Sequence, residues 1–224
     1  MQPQLIVMLT HNDLTVPNAL EVFKSCQDLP VKFWGFKDAG ISKEATLELI
    51  KAMKAAGKVT VLEVVTYTEK ECLEYAQMAV AFGFDYFTGS LYFASVGEYL
   101  KNKPIKYFPF VGNVGGSPVK LQGTEQEILD DCKRLEKAGV HGLDLTAYRY
   151  VDGDPVALAK RVVAEAATPV VIAGSIASEE RIRIMNEVSP FAFTMGGALF
   201  DKLFVHDGDF RANLERVVQI MDSM

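Results

Sequence analysis

The sequence has no surplus of positive charge. Its 224 residues carry 23 Lys and Arg against 29 Asp and Glu, which gives a net charge of −6 at pH 7. Proteins that bind nucleic acid present clustered Lys and Arg side chains, and no such stripe runs along this chain. We therefore expect no nucleic-acid partner. The acidic balance does not exclude a small anionic ligand, because a few local donors are enough to bind one.

Long apolar runs are also missing. A membrane-spanning helix needs about 18 or more successive apolar residues, and no stretch of this sequence reaches that length. The opening residues, MQPQLIVMLTHND, contain a short apolar run without a basic region before it or a cleavage-like small-residue site after it. Such a segment does not predict a signal peptide. We expect a cytoplasmic protein with no membrane partner.

The sequence has few cysteines, and their spacing does not suggest disulfide pairs. Cys26, Cys72 and Cys132 are odd in number, far apart and located in predicted helices. This spacing excludes a disulfide framework and a cysteine-rich metal site, and it predicts reduced thiols packed as small hydrophobic side chains. None of the three follows a predicted strand, so we do not expect a catalytic cysteine. The sequence predicts no metal site.

What the sequence does contain is a regular alternation of strand-like and helix-like segments, with no linker between them. Strands separated by helices pair in parallel, and eight such units in about 225 residues fit a closed (β/α)₈ TIM barrel. We predict a single-domain α/β barrel over residues 1–224. The alternative, a doubly wound open sheet, would carry Gly-x-Gly-x-x-Gly after the first strand, where this chain has THND. The predicted strands cover residues 5–10, 32–36, 58–65, 84–88, 105–111, 142–147, 169–173 and 191–195.

Helix boundaries have local signals. Thr124 and Glu127 form the spacing of a capping box at the start of the fifth predicted helix. Asp154 and Pro155 predict the start of the next one, with Asp as N-cap and Pro at the first helical position. Gly83 follows the third predicted helix, where glycine commonly ends a helix.

The last two predicted strands end in small residues. The first of them runs into Gly174 and Ser175, and the second runs into Gly196 and Gly197. Small residues let a ligand approach the backbone closely, and a helix that starts just afterwards offers free N–H groups and a dipole that favour an anion. The sequence therefore predicts a phosphate site at these four residues and a phosphorylated small molecule as the partner.

Catalytic groups should lie at the carboxyl ends of the barrel strands. Asp13 follows the first strand and serves there as a general acid or base, or as the N-cap of the first helix. Lys37 ends the second strand, where it could bind an anion, donate a proton, form a Schiff base with a ketone, or lie in a solvated turn. Asp144 alternates with apolar neighbours in the sixth strand, which places its carboxyl in the barrel interior.

Two further features leave alternatives open. Glu63 lies within the third strand, as a catalytic group or as an ion-pair partner that fills the barrel. The segment 112–123 contains four glycines and a proline, and we expect it to be irregular, as a lid that carries Lys120 towards a phosphate or as a mobile loop.

Residues 170–176, VVIAGSI, and 193–200, FTMGGALF, resemble the ribulose-phosphate-binding barrels. They are most similar to the histidine-biosynthesis barrels, namely the phosphoribosyl isomerase and the cyclase subunit of imidazole-glycerol-phosphate synthase. The resemblance implies that backbone N–H groups of Gly174, Ser175, Gly196 and Gly197 hold a substrate phosphate. It does not extend to the catalytic aspartates of strands one and five, because Asp13 comes late and the fifth strand has no acid.

These features predict an isomerase or epimerase that acts on a phosphorylated, sugar-like metabolite by proton transfer. Asp13 and Asp144 would carry protons, and Lys37 would stabilise an enolate. The alternatives are an aldolase or lyase with Lys37 as Schiff-base nucleophile, and a non-catalytic phosphate-ligand-binding barrel. We predict no cofactor, although the same cradle would accept a flavin phosphate, and we leave a homodimer open.

Overall fold

Eight parallel strands surround one axis in the computed structural model, which describes residues 2–116 and 119–224. Each strand pairs with the next one along the chain except the fifth and the sixth, and the last pairs with the first, so that the barrel is nearly closed. The eight-stranded barrel predicted from the alternation of strands and helices is confirmed. The strands are β1 Gln4–Met8, β2 Phe33–Lys37, β3 Val59–Glu63, β4 Tyr86–Thr88, β5 Lys106–Phe108, β6 Leu143–Leu145, β7 Val170–Ile172 and β8 Ala192–Met195.

The hydrogen-bond ladder of the barrel is interrupted between β5 and β6. These strands are joined by a single parallel bridge between Phe110 and Asp144. The Asp144 backbone N–H donates to the carbonyl of Pro109 at 2.9 Å, and its carbonyl accepts from Val111 at 3.0 Å. Pro109 has no N–H of its own, which explains why β5 ends at Phe108 rather than continuing to Val111 as predicted.

Helices cover the outside of the barrel. The capping box of Thr124 and Glu127 is present, Asp154 accepts from the backbone N–H groups of Val156 and Ala157, and Gly83 ends its helix in the left-handed conformation. The helices are α1 Ala19–Cys26, α2 Lys43–Ala55, α3 Glu69–Phe82, α4 Ala94–Leu100, α5 Glu125–Lys137, α6 Pro155–Glu165, α7 Glu179–Val188, α8 Gly197–Phe200 and α9 Phe210–Asp222. Among the described residues, no helix is long and apolar enough to cross a membrane.

A hairpin follows β1. Residues Thr10–His11 pair with Leu14–Thr15 in an antiparallel ladder, and we call this the first hairpin. Its turn residues, Asn12 and Asp13, both have positive φ, at 50° and 62°. Asn and Asp tolerate this region better than other non-glycine residues, and a two-residue turn requires it. Asp13 therefore lies in a turn and does not cap the first helix, which Asn18 precedes.

A second hairpin occupies the glycine-rich segment that we predicted to be irregular. Asn113–Gly115 pairs antiparallel with Lys120–Gln122. Residues 117–118 of this segment lie outside the described residues. The Lys120 side chain is exposed. The prediction that the segment is a lid is not tested by this pairing.

The barrel interior is apolar at the amino-terminal end of the strands and polar at the carboxyl end. The apolar part includes rings that pack edge to face or tilted, such as Phe33 against Tyr86 and Tyr86 against Phe108. Leu143 and Leu145 belong to the larger core between strands and helices, so Asp144 between them faces inward, as the alternation predicts. The apolar interior residues are Ile6, Met8, Phe33, Val61, Tyr86, Phe108, Val171 and Ala192.

Replacing Gly142 with Ala should destabilise the barrel. A Cβ at Gly142 would lie 2.1 Å from Cε1 of Phe108, whose ring is buried in the interior. Overpacking of this kind costs about 1–3 kcal/mol, which denaturant unfolding would detect. The matched control is Gly115→Ala, where a Cβ meets no atom within 4 Å. Equal stability of the two variants would contradict the expected clash.

Candidate active site

A cavity of about 400 Å³ opens at the carboxyl ends of the strands. Six of the seven residues predicted for the site line it, and these are Asp13, Lys37, Gly174, Ser175, Gly196 and Gly197. Asp144 is the exception, because it does not line the cavity. Glu63 does line it. The sequence left Glu63 as either a catalytic group or an ion-pair partner, and its position at the cavity is compatible with both.

Lys37 is buried at the end of β2, with 8% of its surface exposed. Its Nζ donates to Asp13 Oδ1 at 2.7 Å and lies 3.7 Å from Glu63 Oε1. The first hairpin brings Asp13 to this position, because the Thr15 hydroxyl donates to the Lys37 carbonyl at 2.7 Å and accepts from the Lys37 N–H at 3.0 Å. Lys37 is thus a paired cation at the floor of the cavity and not a residue of a solvated turn.

This arrangement gives the three groups different acidities. Burial alone would lower the pKa of Lys37, but Glu63 and Asp13 together raise the pKa above its ordinary value. The hydrogen bond from Lys37 lowers the pKa of Asp13. Burial raises the pKa of Glu63, and Lys37 offsets only part of that effect. The site therefore combines an ammonium group held by two carboxyl groups, of which Asp13 has a lowered pKa and Glu63 a raised one.

Asp144 lies deeper in the barrel, with 2% of its surface exposed. The Gly89 N–H donates to its Oδ2 at 3.1 Å, whereas Oδ1 has no hydrogen-bond partner among the described residues. Burial, followed by the charge of Glu63, raises the pKa of Asp144 well above its ordinary value. Asp144 therefore holds a proton more tightly than a free aspartate does, and it interacts electrostatically with Glu63.

The glycines of the predicted cradle serve different purposes. Gly174 has φ of +80°, and its N–H donates to the Thr194 hydroxyl at 3.0 Å, so this amide is occupied. A Cβ at Gly196 would lie 2.7 Å from the Thr10 carbonyl oxygen, which makes glycine a packing requirement there. Gly197 begins the short helix α8, where the Leu199 N–H already donates to the Gly196 carbonyl at 2.9 Å, so the amides left for a ligand are those of Gly197 and Ala198. A Cβ there would meet its nearest atom, Asp201 Oδ2, only at 3.8 Å.

Three further residues near the cradle, His11, Asp201 and Arg149, are not among the predicted site residues. His11 Nε2 lies 2.8 Å from Asp201 Oδ1, a contact across 190 positions that no local pattern signals. Arg149 lines the cavity, and its Nε lies 3.7 Å from the position of a Cβ added to Gly174. Arg149 follows the sixth predicted strand, and that placement was the available signal for it.

The second hairpin forms part of the cavity wall. Val119 lines the cavity from the described part of this hairpin, and Phe110 lines it from the segment that precedes it. The Tyr67 hydroxyl, from the loop after β3, donates to the Gly116 carbonyl at 3.0 Å. Lys120 does not line the cavity, so its predicted contact with a phosphate has no support in this arrangement.

Comparison with known proteins shows the fold. No family model and no curated protein matches the sequence. Thiamine phosphate pyrophosphorylase from Pyrococcus furiosus superposes with a TM-score of 0.69 and 14% identity, over 99% of this chain and 96% of that one. Orotidine 5′-phosphate decarboxylase from Pyrococcus horikoshii gives 0.72 and 10%, over 99% and 100%. A 4-hydroxy-2-oxoglutarate/2-dehydro-3-deoxyphosphogluconate aldolase gives 0.60 and 16%, over 97% and 92%.

These neighbours are TIM-barrel enzymes. Because the identities are so low, they show only the fold of this chain and not its function. Their names include phosphorylated compounds. None of the three is a histidine-biosynthesis barrel, so that narrower likeness stays a prediction.

Asp144→Asn should stabilise the protein increasingly as pH rises. Because the pKa of Asp144 is raised in the folded state, that state binds the proton more tightly than the unfolded chain. The contribution of Asp144 to wild-type stability therefore falls as pH rises above about 4 towards the folded pKa. Asn does not titrate and keeps an acceptor for the Gly89 N–H. Urea unfolding between about pH 5 and pH 8 would measure the growing difference.

The matched control for this prediction is Asp222→Asn, at the exposed end of α9. It should follow the wild-type pH dependence. A stability difference between Asp144→Asn and wild type that stays constant with pH would contradict a proton held at Asp144.

Proposed function

We propose that the protein is an enzyme that binds a phosphorylated, sugar-like metabolite and isomerises or epimerises it by proton transfer next to a carbonyl. The observation that carries this proposal is the group at the cavity floor, where the Lys37 ammonium lies between Asp13 and Glu63. Acid–base catalysis requires positioned groups whose pKa values differ, and these side chains meet that requirement.

Each group has a distinct role in the proposed reaction. The amides at the start of α8, beginning at Gly197, bind the phosphate and fix one end of the substrate. Lys37 donates hydrogen bonds to the substrate carbonyl and stabilises the negative charge that develops on it. Glu63 accepts the proton from the adjacent carbon and returns it, since its raised pKa makes it a stronger base than a free glutamate. Asp13 holds Lys37 in its charged form.

The structural neighbours support the substrate class more than the reaction. Thiamine phosphate and orotidine 5′-phosphate appear in the names of two proteins with this fold, which agrees with a phosphorylated ligand for this chain. Their names denote a pyrophosphorylase and a decarboxylase. The choice of proton transfer therefore depends on the side chains of this protein. A reducing compartment such as the cytoplasm is consistent with the three free, buried cysteines.

Schiff-base chemistry at Lys37 is the competing proposal, since one neighbour is an aldolase. A Schiff-base lysine must lose its proton before it attacks a ketone, and burial or a nearby cation usually lowers its pKa for that purpose. At Lys37 the two carboxylates outweigh burial and raise the pKa. This environment favours a proton donor over a nucleophile.

Gly197→Leu should weaken phosphate binding. The side chain would extend from a position that is open in the wild type and would block the first amides of α8. Loss of charged hydrogen bonds costs about 1.5–3 kcal/mol, or roughly tenfold to a hundredfold in Kd for glycerol 3-phosphate by calorimetry. Gly197→Ala is the control and should change the affinity much less. Unchanged affinity in Gly197→Leu would contradict the phosphate site.

Glu63→Gln should greatly slow the exchange of substrate hydrogen with solvent. In deuterated water, the wild type should exchange the hydrogen on the carbon next to the carbonyl of a keto-phosphate such as dihydroxyacetone phosphate or ribulose 5-phosphate, as followed by NMR. The variant should be slower by about a hundredfold or more, the usual contribution of a general base. Glu48→Gln, on the exposed face of α2, is the control.

Absence of exchange with every keto-phosphate tested would contradict the proton-transfer reaction and favour a barrel that only binds its ligand. Borohydride reduction in the presence of the same compounds separates the remaining alternative. A covalent adduct at Lys37 would replace the proposed reaction with Schiff-base chemistry.

A further inference from the structure

One cation at the cavity has no ionic partner among the described residues. Lys37 is paired with Asp13 and Glu63, and Asp201 is engaged by His11. The Arg149 guanidinium, which is only half-buried, has no carboxylate within 4.0 Å in the described part of the chain. A cation in a cavity wall without a counter-charge favours an anionic ligand group beside it.

A buried hydroxyl lies on the same turn. Arg149 ends the 3₁₀ helix Ala147–Arg149 after β6, and its N–H donates to the Thr146 carbonyl at 2.9 Å. Thr146 lines the cavity and is 5% exposed, yet its Oγ1 has no hydrogen-bond partner among the described residues. Buried hydroxyls without partners cost free energy. This hydroxyl and the guanidinium are thus two groups on one turn of the chain that lack a partner among the described residues.

Arg149 is close to the cradle and interacts electrostatically with the acid–base group. Its Nε is 3.7 Å from the Cβ position of Gly174. Its charge also reaches Asp13, where it adds to the larger effect of Lys37 in lowering the pKa of that carboxyl. Arg149, Gly197 and Lys37 line the same cavity.

We propose that Arg149 and Thr146 bind a carboxylate of the ligand, so that the substrate is a phosphorylated compound that also carries a carboxylate. The proposal rests on the proposed function, because it takes the phosphate to be bound at the start of α8. The planar guanidinium matches the two oxygens of a carboxylate, and the Thr146 hydroxyl supplies a further donor.

Two probes that differ by one group test the proposal. 3-Phosphoglycerate and glycerol 3-phosphate share the phosphate and the central hydroxyl, and only the first has a carboxylate. The wild type should bind 3-phosphoglycerate roughly tenfold to a hundredfold more tightly by calorimetry, the range of a hydrogen bond to a charged group. Arg149→Gln should remove this preference and leave the affinity for glycerol 3-phosphate near the wild-type value.

The matched control is Arg183→Gln, which removes a guanidinium from the exposed face of α7, where it pairs with Glu179. This variant should keep the preference. A wild type that binds both probes equally, or a preference that persists in Arg149→Gln, would overturn the carboxylate site. Equal weakening of both probes by Arg149→Gln would also overturn it, because the guanidinium would then bind the phosphate.

The proposed function fails in a different way. If neither probe binds the wild type, or if Gly197→Leu leaves both affinities unchanged, the phosphate site itself is contradicted and the carboxylate site falls with it. Binding of both probes that Gly197→Leu weakens, without a preference between them, contradicts the carboxylate site alone.

Discussion

The burial of one ammonium group determines the arrangement of the cavity floor. Lys37 is 8% exposed, and a buried charge without a partner costs several kcal/mol. Glu63 on the neighbouring strand and Asp13 in the first hairpin supply the counter-charges. The hairpin can reach Lys37 because the Thr15 hydroxyl binds the Lys37 backbone at both its N–H and its carbonyl. The fold of residues 10–15 and the charge state of the site are thus consequences of the same requirement.

The barrel interior has an apolar layer at one end of its axis and ionisable side chains at the other. At the amino-terminal end, rings such as Phe33, Tyr86 and Phe108 pack against one another and exclude water. At the carboxyl end, the same inward positions carry Lys37, Glu63 and Asp144. Ionisable groups above an apolar layer are desolvated on one side, which raises the pKa of both carboxyl groups. The packing below is therefore a cause of the acid–base properties above.

The sequence predicts what depends on local periodicity, and it misses what depends on distant contacts. Alternation in β6 is enough to place Asp144 inside, and the capping residues are enough to start α5 and α6. The first hairpin escapes prediction because each of its strands is two residues long, too short for a period to appear. The contact between His11 and Asp201 joins residues from opposite ends of the chain, so it exists only once the barrel closes.

The pKa shifts of the three carboxyl groups change from lowered at the cavity to strongly raised in the interior. The pKa of Asp13 is lowered by Lys37, that of Glu63 is raised by burial, and that of Asp144 is raised well above its ordinary value by burial and by Glu63. A proton taken up at Glu63 neutralises its charge, which weakens both its attraction to Lys37 and its repulsion of an ionised Asp144. In the proposed reaction, the ammonium is then freer to act on the ligand as negative charge develops there. When Glu63 returns the proton, its charge and its attraction to Lys37 are restored.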